Sequence, residues 1–196
     1  MPNGEKILVV DDEQVILTSV SRIASSEGFN VDSDNNADSA LKKLSQKEYS
    51  LILCDIMMPQ MDGFAFLDEL QKRKVFTPVI MITGYSTVEN AVKSLYKGAI
   101  DFVPKPFTFE ELNSSINRGI KFYKIQKGIE EAKSRNDKTS IGYVPGPPQY
   151  KRLGNLSWVN FESVGTAVIG ATDLFLETIE NLVNIELIEV EEEIIQ

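Results

Sequence analysis

The chain has 196 residues, a formal net charge of −9 and a sequence pI of about 4.7. This acidic balance argues against nucleic-acid binding, because proteins that contact the phosphate backbone present basic surfaces. Histidine is absent, which excludes Ser–His and Cys–His nucleophile pairs, and the single cysteine, Cys54, excludes an internal disulfide. No apolar run approaches the roughly 18 residues of a membrane helix. The N-terminus lacks the plan of a signal peptide, so we expect a cytoplasmic protein without a membrane partner.

Strand and helix patterns alternate along the first two thirds of the chain, which is typical of a parallel sheet built from βαβ units. Apolar runs predict strands at 7–10, 29–33, 50–54, 79–82 and 100–104. Between and after them, apolar residues recur at helical spacing. The residues expected to face the core are Ile16, Val20, Ile23 and Ala24, then Ala37, Ala40, Leu41 and Leu44, then Phe64, Leu67 and Leu70, then Val88, Ala91, Val92 and Leu95, and finally Leu112, Ile116, Ile120 and Tyr123. The pattern predicts an α/β, flavodoxin-like, doubly wound five-stranded parallel sheet in the order 2-1-3-4-5.

Three helix starts carry capping signals. Asn36 can cap the second helix through its side-chain oxygen. Ser86-Thr87-Val88-Glu89 and Thr108-Phe109-Glu110-Glu111 have the spacing of capping boxes, so we expect the fourth and fifth helices to begin there.

Polar side chains follow four of the predicted strands. Asp11 and Asp12 follow the first, Asp55 the third, Thr83 the fourth and Lys105 the fifth. The carboxyl ends of parallel strands share one edge of a sheet, so we expect these groups to converge there. Clustered carboxylates repel one another, and their hard oxygen atoms favour Mg²⁺ or Mn²⁺ over softer metals. The alternative is that each polar residue pairs locally at its own strand end.

The sequence resembles the receiver domain of bacterial two-component response regulators, from about residue 6 to about residue 125. The matching pieces are Asp11-Asp12, Asp55 with Pro59 and Gly63, Thr83-Gly84, and Lys105-Pro106-Phe107. The resemblance implies that Asp55 is the phosphoacceptor, that Asp12 is a direct Mg²⁺ ligand and that Asp11 is a ligand through water. It also implies that the backbone carbonyl of Met57 completes the metal site.

The resemblance further implies that Lys105 and Thr83 bind the phosphoryl group and that the Lys105-Pro106 bond is cis. Thr83 and Phe102 would form the switch, with Phe102 standing where Tyr is frequent. Met57 and Tyr85 would tune hydrolysis of the aspartyl phosphate, and the surface from 87 to 123 would report the phosphorylation state. A sensor histidine kinase is the implied phosphodonor. The implied chemistry is limited to self-phosphorylation and slow hydrolysis, so the domain is not expected to be an enzyme.

Two alternatives to a phosphorylation switch remain open. The receiver could be a constitutive interaction scaffold in which Lys105 bridges to Asp55 in a pocket that never turns over. A phosphatase of the haloacid dehalogenase type also uses an Asp nucleophile with Mg²⁺. It requires a second Asp two residues after the first, where this chain has Met57.

We expect a receiver domain at 1–125 and a Pro/Gly-rich linker at 136–149, because 143–148 contains three prolines and cannot be helix or central strand. The last receiver helix is predicted to continue to about 135. Its second apolar stripe could form a short dimer seam or dock on its own chain. A homodimer could also use the face of the fourth and fifth helices. The stripe consists of Phe122, Ile125, Ile129 and Ala132.

The segment 150–196 is predicted to form a small, β-rich α+β unit. Strands are expected at 158–161 and 166–169 around Gly165, a helix after Asp173, and a strand at 185–190. The stretches 156–159, 166–173 and 184–190 resemble the first half of the lipoyl-carrying H protein of the glycine cleavage system. No Lys follows Lys151, so lipoyl attachment is not possible in this chain. The alternative is an unrelated output or dimerisation domain.

Overall fold

The structure is a computed structural model that describes residues 4–134, 151–153, 157–161 and 167–171. Five parallel strands form one sheet in the order β2-β1-β3-β4-β5, which confirms the predicted order. The strands are β1 Lys6–Val10, β2 Asn30–Asp34, β3 Leu51–Cys54, β4 Val79–Thr83 and β5 Asp101–Pro104. β3 is buried at every position, as an apolar run in the middle of a doubly covered sheet requires.

Five helices cover the two faces of this sheet: α1 Gln14–Ser26, α2 Ala37–Leu44, α3 Gly63–Lys72, α4 Val88–Tyr96 and α5 Phe109–Ser134. Residues of α2 and α3 share one apolar layer with Leu8 and Val10, and residues of α1 and α5 share the other with Ile7 and Val9. Successive residues of β1 therefore enter opposite layers, because side chains alternate across a strand. The core is thus split by the sheet, and the flavodoxin-like fold is confirmed.

The predicted caps are confirmed at two helices and shifted at the third. The Asn36 side chain accepts a hydrogen bond from the Ser39 N–H at 2.9 Å. Thr108 and Glu111 form a reciprocal box, in which the Thr108 N–H donates to Glu111 Oε2 at 2.7 Å and Thr108 Oγ1 accepts from the Glu111 N–H at 3.2 Å. α4 instead begins after Thr87, whose hydroxyl accepts from Asn90. The prediction of a box from Ser86 to Glu89 is therefore wrong.

The predicted apolar face of α4 is wrong at Val88 and Val92, whereas Ala91 and Leu95 are partly buried. Val88 is 82% exposed and Val92 is 59% exposed, while Ser94 is fully buried. The Ser94 hydroxyl donates a hydrogen bond to the Asn90 carbonyl at 2.7 Å, so this buried polar group has a partner. Lys97, directly after α4, binds the Asp68 carboxylate of α3 at 2.6 Å and ties this end of the helix to α3. Periodicity alone could not reveal these contacts from a neighbouring helix.

α5 continues to Ser134, close to the predicted end of the helix. Phe122 is 2% exposed and belongs to the receiver core, which removes it from the proposed dimer seam. Tyr123, predicted to be buried, is only partly so. The side chains of Ile129 and Ala132 lie outside the described part of the structure, so a homodimer stays a prediction.

A second sheet contains β6 Lys151–Leu153, β7 Ser157–Phe161 and β8 Ala167–Ala171, paired antiparallel in that order. The two predicted strands are present within one or two residues, and β6 was not predicted. The expected linker at 136–149, the helix after Asp173 and the strand at 185–190 lie outside the described residues. None of the helices that the structure describes is long and apolar enough to cross a membrane.

Candidate functional site

Four strand ends bring the predicted site residues to one edge of the sheet. Asp11 follows β1, Asp55 follows β3, Thr83 ends β4 and Lys105 follows β5. The ladder extends into these ends, since the Asp55 N–H donates to the Val10 carbonyl at 2.9 Å and the Lys105 N–H donates to the Thr83 carbonyl at 2.8 Å. The backbone therefore holds the site residues in register without help from their side chains.

Asp11, Asp12 and Asp55 form a carboxylate cluster in which one oxygen from each lies within 4.8 Å of the others. Asp11 is 2% exposed and Asp55 is 4% exposed, whereas Asp12 is open to solvent. Burial raises the pKa of both Asp11 and Asp55 above the usual range. Lys105 opposes that rise at both carboxylates, and the Thr83 hydroxyl also opposes it at Asp55. The buried acids are therefore costly to ionise.

Lys105 is the cation of this cluster. Its Nζ lies 2.7 Å from Asp11 Oδ2, 3.4 Å from Glu13 Oε1 and 3.5 Å from Asp55 Oδ1. Burial lowers the pKa of Lys105, but the hydrogen bond to Asp11 and the surrounding negative charges outweigh it and leave the pKa raised. Lys105 is thus positively charged at neutral pH, and its shortest contact is to Asp11 rather than Asp55.

The two carboxylate oxygens of Asp55 have different environments. Oδ2 accepts a hydrogen bond from the Met57 N–H at 3.0 Å. Oδ1 is buried and has no hydrogen-bond partner among the residues that the structure describes, although Lys105 lies 3.5 Å away. A buried acceptor without a partner is rare in proteins and calls for an explanation. A hard divalent cation held by the three carboxylates fits this oxygen.

The remaining predicted residues surround the cluster. Thr83 is fully buried, and its hydroxyl oxygen accepts from the Tyr85 N–H at 3.2 Å. Phe102 is partly buried and packs against the apolar layer that contains α2 and α3. The side chains of Met57 and Tyr85 are exposed to solvent, at 50% and 59% respectively. The Lys105-Pro106 bond is cis, as the resemblance implied.

Sequence reasoning missed two contributors. Glu13 lies beside Lys105 and its N–H donates to Asp11 Oδ1 at 2.9 Å, so it supports both charges. The position of Glu13 directly after Asp11-Asp12 in the sequence was the signal that could have identified it. Gly63 was noted only as part of a motif, yet its backbone lies directly against Asp55 and Ile56.

The response regulator receiver domain family matches residues 7–117, and the chain belongs to that family. The receiver domain of this chain is a signalling domain of the two-component type. Receiver domains of this family bind Mg²⁺ at an acidic pocket, the place that Asp11, Asp12 and Asp55 occupy in this fold. The family match ends before the second sheet, so the H-protein resemblance stays a prediction.

Curated relatives share the receiver region. The chain is 38% identical over 124 residues to the regulatory protein AtoC of Escherichia coli K12, covering 63% of this chain and 27% of AtoC. It is 33% identical over 154 residues to the DNA-binding transcriptional regulator NtrC of Proteus hauseri, covering 77% of this chain and 33% of NtrC. The chain therefore spans about a third or less of these relatives. Their DNA-binding and regulatory names describe those proteins, and the expected lack of a nucleic-acid partner stays a prediction for this chain.

A solved structure supports the same assignment. The receiver domain of NtrX from Brucella abortus is 39% identical to the chain and superposes with a TM-score of 0.56, covering 58% of this chain and 97% of that domain. The likeness covers the receiver, in sequence as well as in fold.

Proposed function

We propose that this receiver is a phosphorylation switch that accepts a phosphoryl group on Asp55 from a sensor histidine kinase. The observation that carries the proposal is the convergence of Asp11, Asp12 and Asp55 within 4.8 Å, next to Lys105 and Thr83. A phosphohistidine donor must be another protein, because the sequence contains no histidine. The phosphoryl group would carry about 1.5 to 2 negative charges, and because the Asp55 carboxylate gives up its own charge in forming the acyl phosphate, the site would gain about one negative charge.

The metal-binding roles are assigned to four groups. Asp12 and Asp55 would bind Mg²⁺ or Mn²⁺ directly, the Met57 backbone carbonyl would contribute a third oxygen, and Asp11 would bind through water. The unpartnered Asp55 Oδ1 and the raised pKa values of Asp11 and Asp55 support a site suited to added positive charge. When bound, the cation would offset the carboxylate repulsion and attract the phosphoryl oxygens.

The transfer step needs a nucleophile, a leaving group and charge neutralisation. A carboxylate oxygen of Asp55 attacks the phosphorus and forms a P–O bond, while the P–N bond to the donor imidazole breaks and its electron pair stays on the nitrogen. Lys105 would exchange part of its contact with Asp11 for a phosphoryl oxygen. Thr83 would donate its hydroxyl proton to a second phosphoryl oxygen. The Tyr85 N–H does not prevent this, because it donates to the hydroxyl oxygen and does not use the hydroxyl proton.

The switch follows from that movement of Thr83. Thr83 and the loop after it would shift towards the phosphate, and Phe102 would turn further into the core that it already contacts. The surface from 87 to 123 would then change conformation, and a partner or the segment 150–196, beyond the linker at 136–149, would bind it differently. The side chains of Met57 and Tyr85, exposed beside the pocket, would slow attack by water. We infer a cytoplasmic location for this relay.

The proposal is tested by incubating the chain with Mg²⁺ and acetyl phosphate and measuring its intact mass. One phosphoryl group should be added to the wild type, none to Asp55→Asn and none when EDTA replaces Mg²⁺. Uptake that persists in Asp55→Asn would reject Asp55 as the acceptor. Beryllofluoride provides a second test, because unchanged mobility and association state on its addition would favour a constitutive scaffold instead.

A further inference from the structure

Gly63, the first residue of α3, lies closer to the phosphoacceptor segment than any side chain could. A Cβ atom at this position would overlap the backbone carbonyl oxygen of Asp55, and it would lie 2.9 Å from the Ile56 Cα and 2.7 Å from the Met81 Cε. Cβ atoms in proteins essentially never approach other heavy atoms closer than 3.0 Å. Two of these three neighbours are backbone atoms, which cannot move aside as a flexible side chain can.

The contact is held from both directions. The Gly63 N–H donates to the Ile56 carbonyl at 2.8 Å, which ties the start of α3 to the peptide that follows Asp55. Asp62 caps the same helix by accepting from the Ala65 N–H at 2.7 Å. The helix start is therefore fixed against the segment that carries Asp55, and the Asp55 backbone is fixed by β1 on the other side, through its bond to Val10.

From this geometry we infer that Gly63 is a positioning residue for phosphoryl transfer. It sets where Asp55 and the Met57 backbone stand relative to Asp11 and Asp12, which come from a different strand. A side chain at position 63 would displace the 55–57 segment while leaving β1 in place. The oxygen atoms of Asp11, Asp12 and Asp55 would then no longer lie close enough together to bind one cation. The inference rests on the proposed function for its effect on phosphorylation, whereas its effect on metal affinity can be measured separately.

Gly119 on α5 provides a matched control in the apolar layer on the other face of the sheet. A Cβ atom there would also be crowded, at 2.6 Å from Leu51 Cδ1 and 3.2 Å from Ile80 Cδ1. Its neighbours are the ends of side chains, and they lie on β3 and β4 away from the carboxylate cluster. Gly119→Ala thus introduces the same methyl group into the core without pressing on the Asp55 backbone.

The experiment compares wild type, Gly63→Ala, Gly119→Ala, Met81→Ala and the double variant Gly63→Ala/Met81→Ala at a temperature where each is folded by circular dichroism. Mn²⁺ affinity is measured by electron paramagnetic resonance, and phosphoryl uptake from acetyl phosphate is measured by intact mass. Gly63→Ala should weaken Mn²⁺ binding and slow uptake by about 10–100-fold each, the range for disturbed support of a metal site. Gly119→Ala should stay within about 2-fold of wild type in both, since it leaves that support intact.

The double variant covers the case in which Gly63→Ala does not fold. It removes the overlap with Met81 and retains the overlap with the Asp55 carbonyl, so it should still bind Mn²⁺ at least about 10-fold more weakly than Met81→Ala alone. The inference is overturned if Gly63→Ala binds Mn²⁺ as tightly as wild type, or if the double variant binds it as tightly as Met81→Ala. It is also overturned if Gly119→Ala loses as much Mn²⁺ affinity as Gly63→Ala. A wild type that binds Mn²⁺ but never gains a phosphoryl group would refute the proposed function alone, and the affinity comparison would still decide the role of Gly63.

Discussion

Replacing Asp55 by Asn should stabilise the receiver when no divalent cation is present. Asp55 is 4% exposed, its Oδ1 has no hydrogen-bond partner among the described residues, and burial raises its pKa. A neutral amide of nearly the same shape removes a buried charge and keeps an oxygen that can accept from the Met57 N–H. Lys105 does not lose its only partner, because Asp11 and Glu13 remain within 2.7 and 3.4 Å.

The size of the effect follows from three main contributions. At an effective dielectric constant of about 20, the buried Asp11 at no more than 4.8 Å repels Asp55 by about 3.5 kcal/mol or more, while Lys105 at 3.5 Å attracts it by about 4.7 kcal/mol. Asp12 lies within the same distance but is open to solvent, which screens its charge, so its repulsion is smaller. The contributions of Asp11 and Lys105 nearly cancel. The cost of desolvating the buried carboxylate, which is the main cause of its raised pKa, then decides the sign, and we expect a gain of about 1–3 kcal/mol in the free energy of unfolding. Each kcal/mol corresponds to about 3–6 °C in Tm for a domain of this size.

The gain should depend on pH in a defined direction. Because the pKa of Asp55 is raised on folding, the native state binds its proton more tightly than the unfolded chain does. The stability of the wild type therefore falls as pH rises from about 3.8, the usual pKa of Asp, through the raised native pKa. The advantage of Asp55→Asn should be complete above that interval and should vanish below about pH 3.8, where Asp55 is protonated in both states.

The assay is urea unfolding followed by circular dichroism in EDTA at neutral and acidic pH. Glu48→Gln removes the same charge from an exposed position and should leave the free energy of unfolding within about 0.5 kcal/mol of wild type. If the acid cluster binds Mg²⁺ as proposed, added Mg²⁺ should raise the stability of the wild type more than that of Asp55→Asn, because a ligand that binds only the native state stabilises it. An Asp55→Asn variant that is no more stable than wild type in EDTA would refute the reasoning.

Two further predictions concern the scaffold of the receiver. Tyr49→Phe should cost about 1–3 kcal/mol, because the buried hydroxyl donates to Asp32 Oδ2 at 2.7 Å and lowers the pKa of that carboxyl. The cost should be complete above about pH 3.8 and disappear as pH falls through the lowered pKa, so a loss that is equal at all pH values in urea titrations would contradict it. Thr108→Ala should cost about 0.5–2 kcal/mol through loss of the α5 cap, whereas Thr108→Ser should restore most of it. Equal Tm values for the Ala and Ser variants would show that the cap does not contribute.

The sequence alone determined the strands and helices of the receiver and which polar residues lie at the carboxyl edge of the sheet, but it did not single out the contact of Glu13 with Lys105 or the packing of Gly63. Buried apolar runs specify parallel strands, and a polar residue directly after such a run must lie at the carboxyl edge of the sheet. Asp11, Asp55, Thr83 and Lys105 could therefore be predicted to meet. The caps at Asn36 and Thr108 were equally predictable, because a side chain and an N–H group three residues later interact whatever the rest of the fold does.

Only the tertiary structure decided which neighbours these residues choose. α4 has an apolar periodicity at Val88 and Val92 that predicts burial, yet both residues lie in solvent, while Lys97 directly after the helix contacts Asp68 on α3. Likewise, Lys105 has its shortest contact with Asp11, and Gly63 lies too close to the Asp55 backbone to carry a side chain. Each contact depends on how segments far apart in the chain pack to within a few ångströms of one another, which local periodicity and motif spacing do not encode.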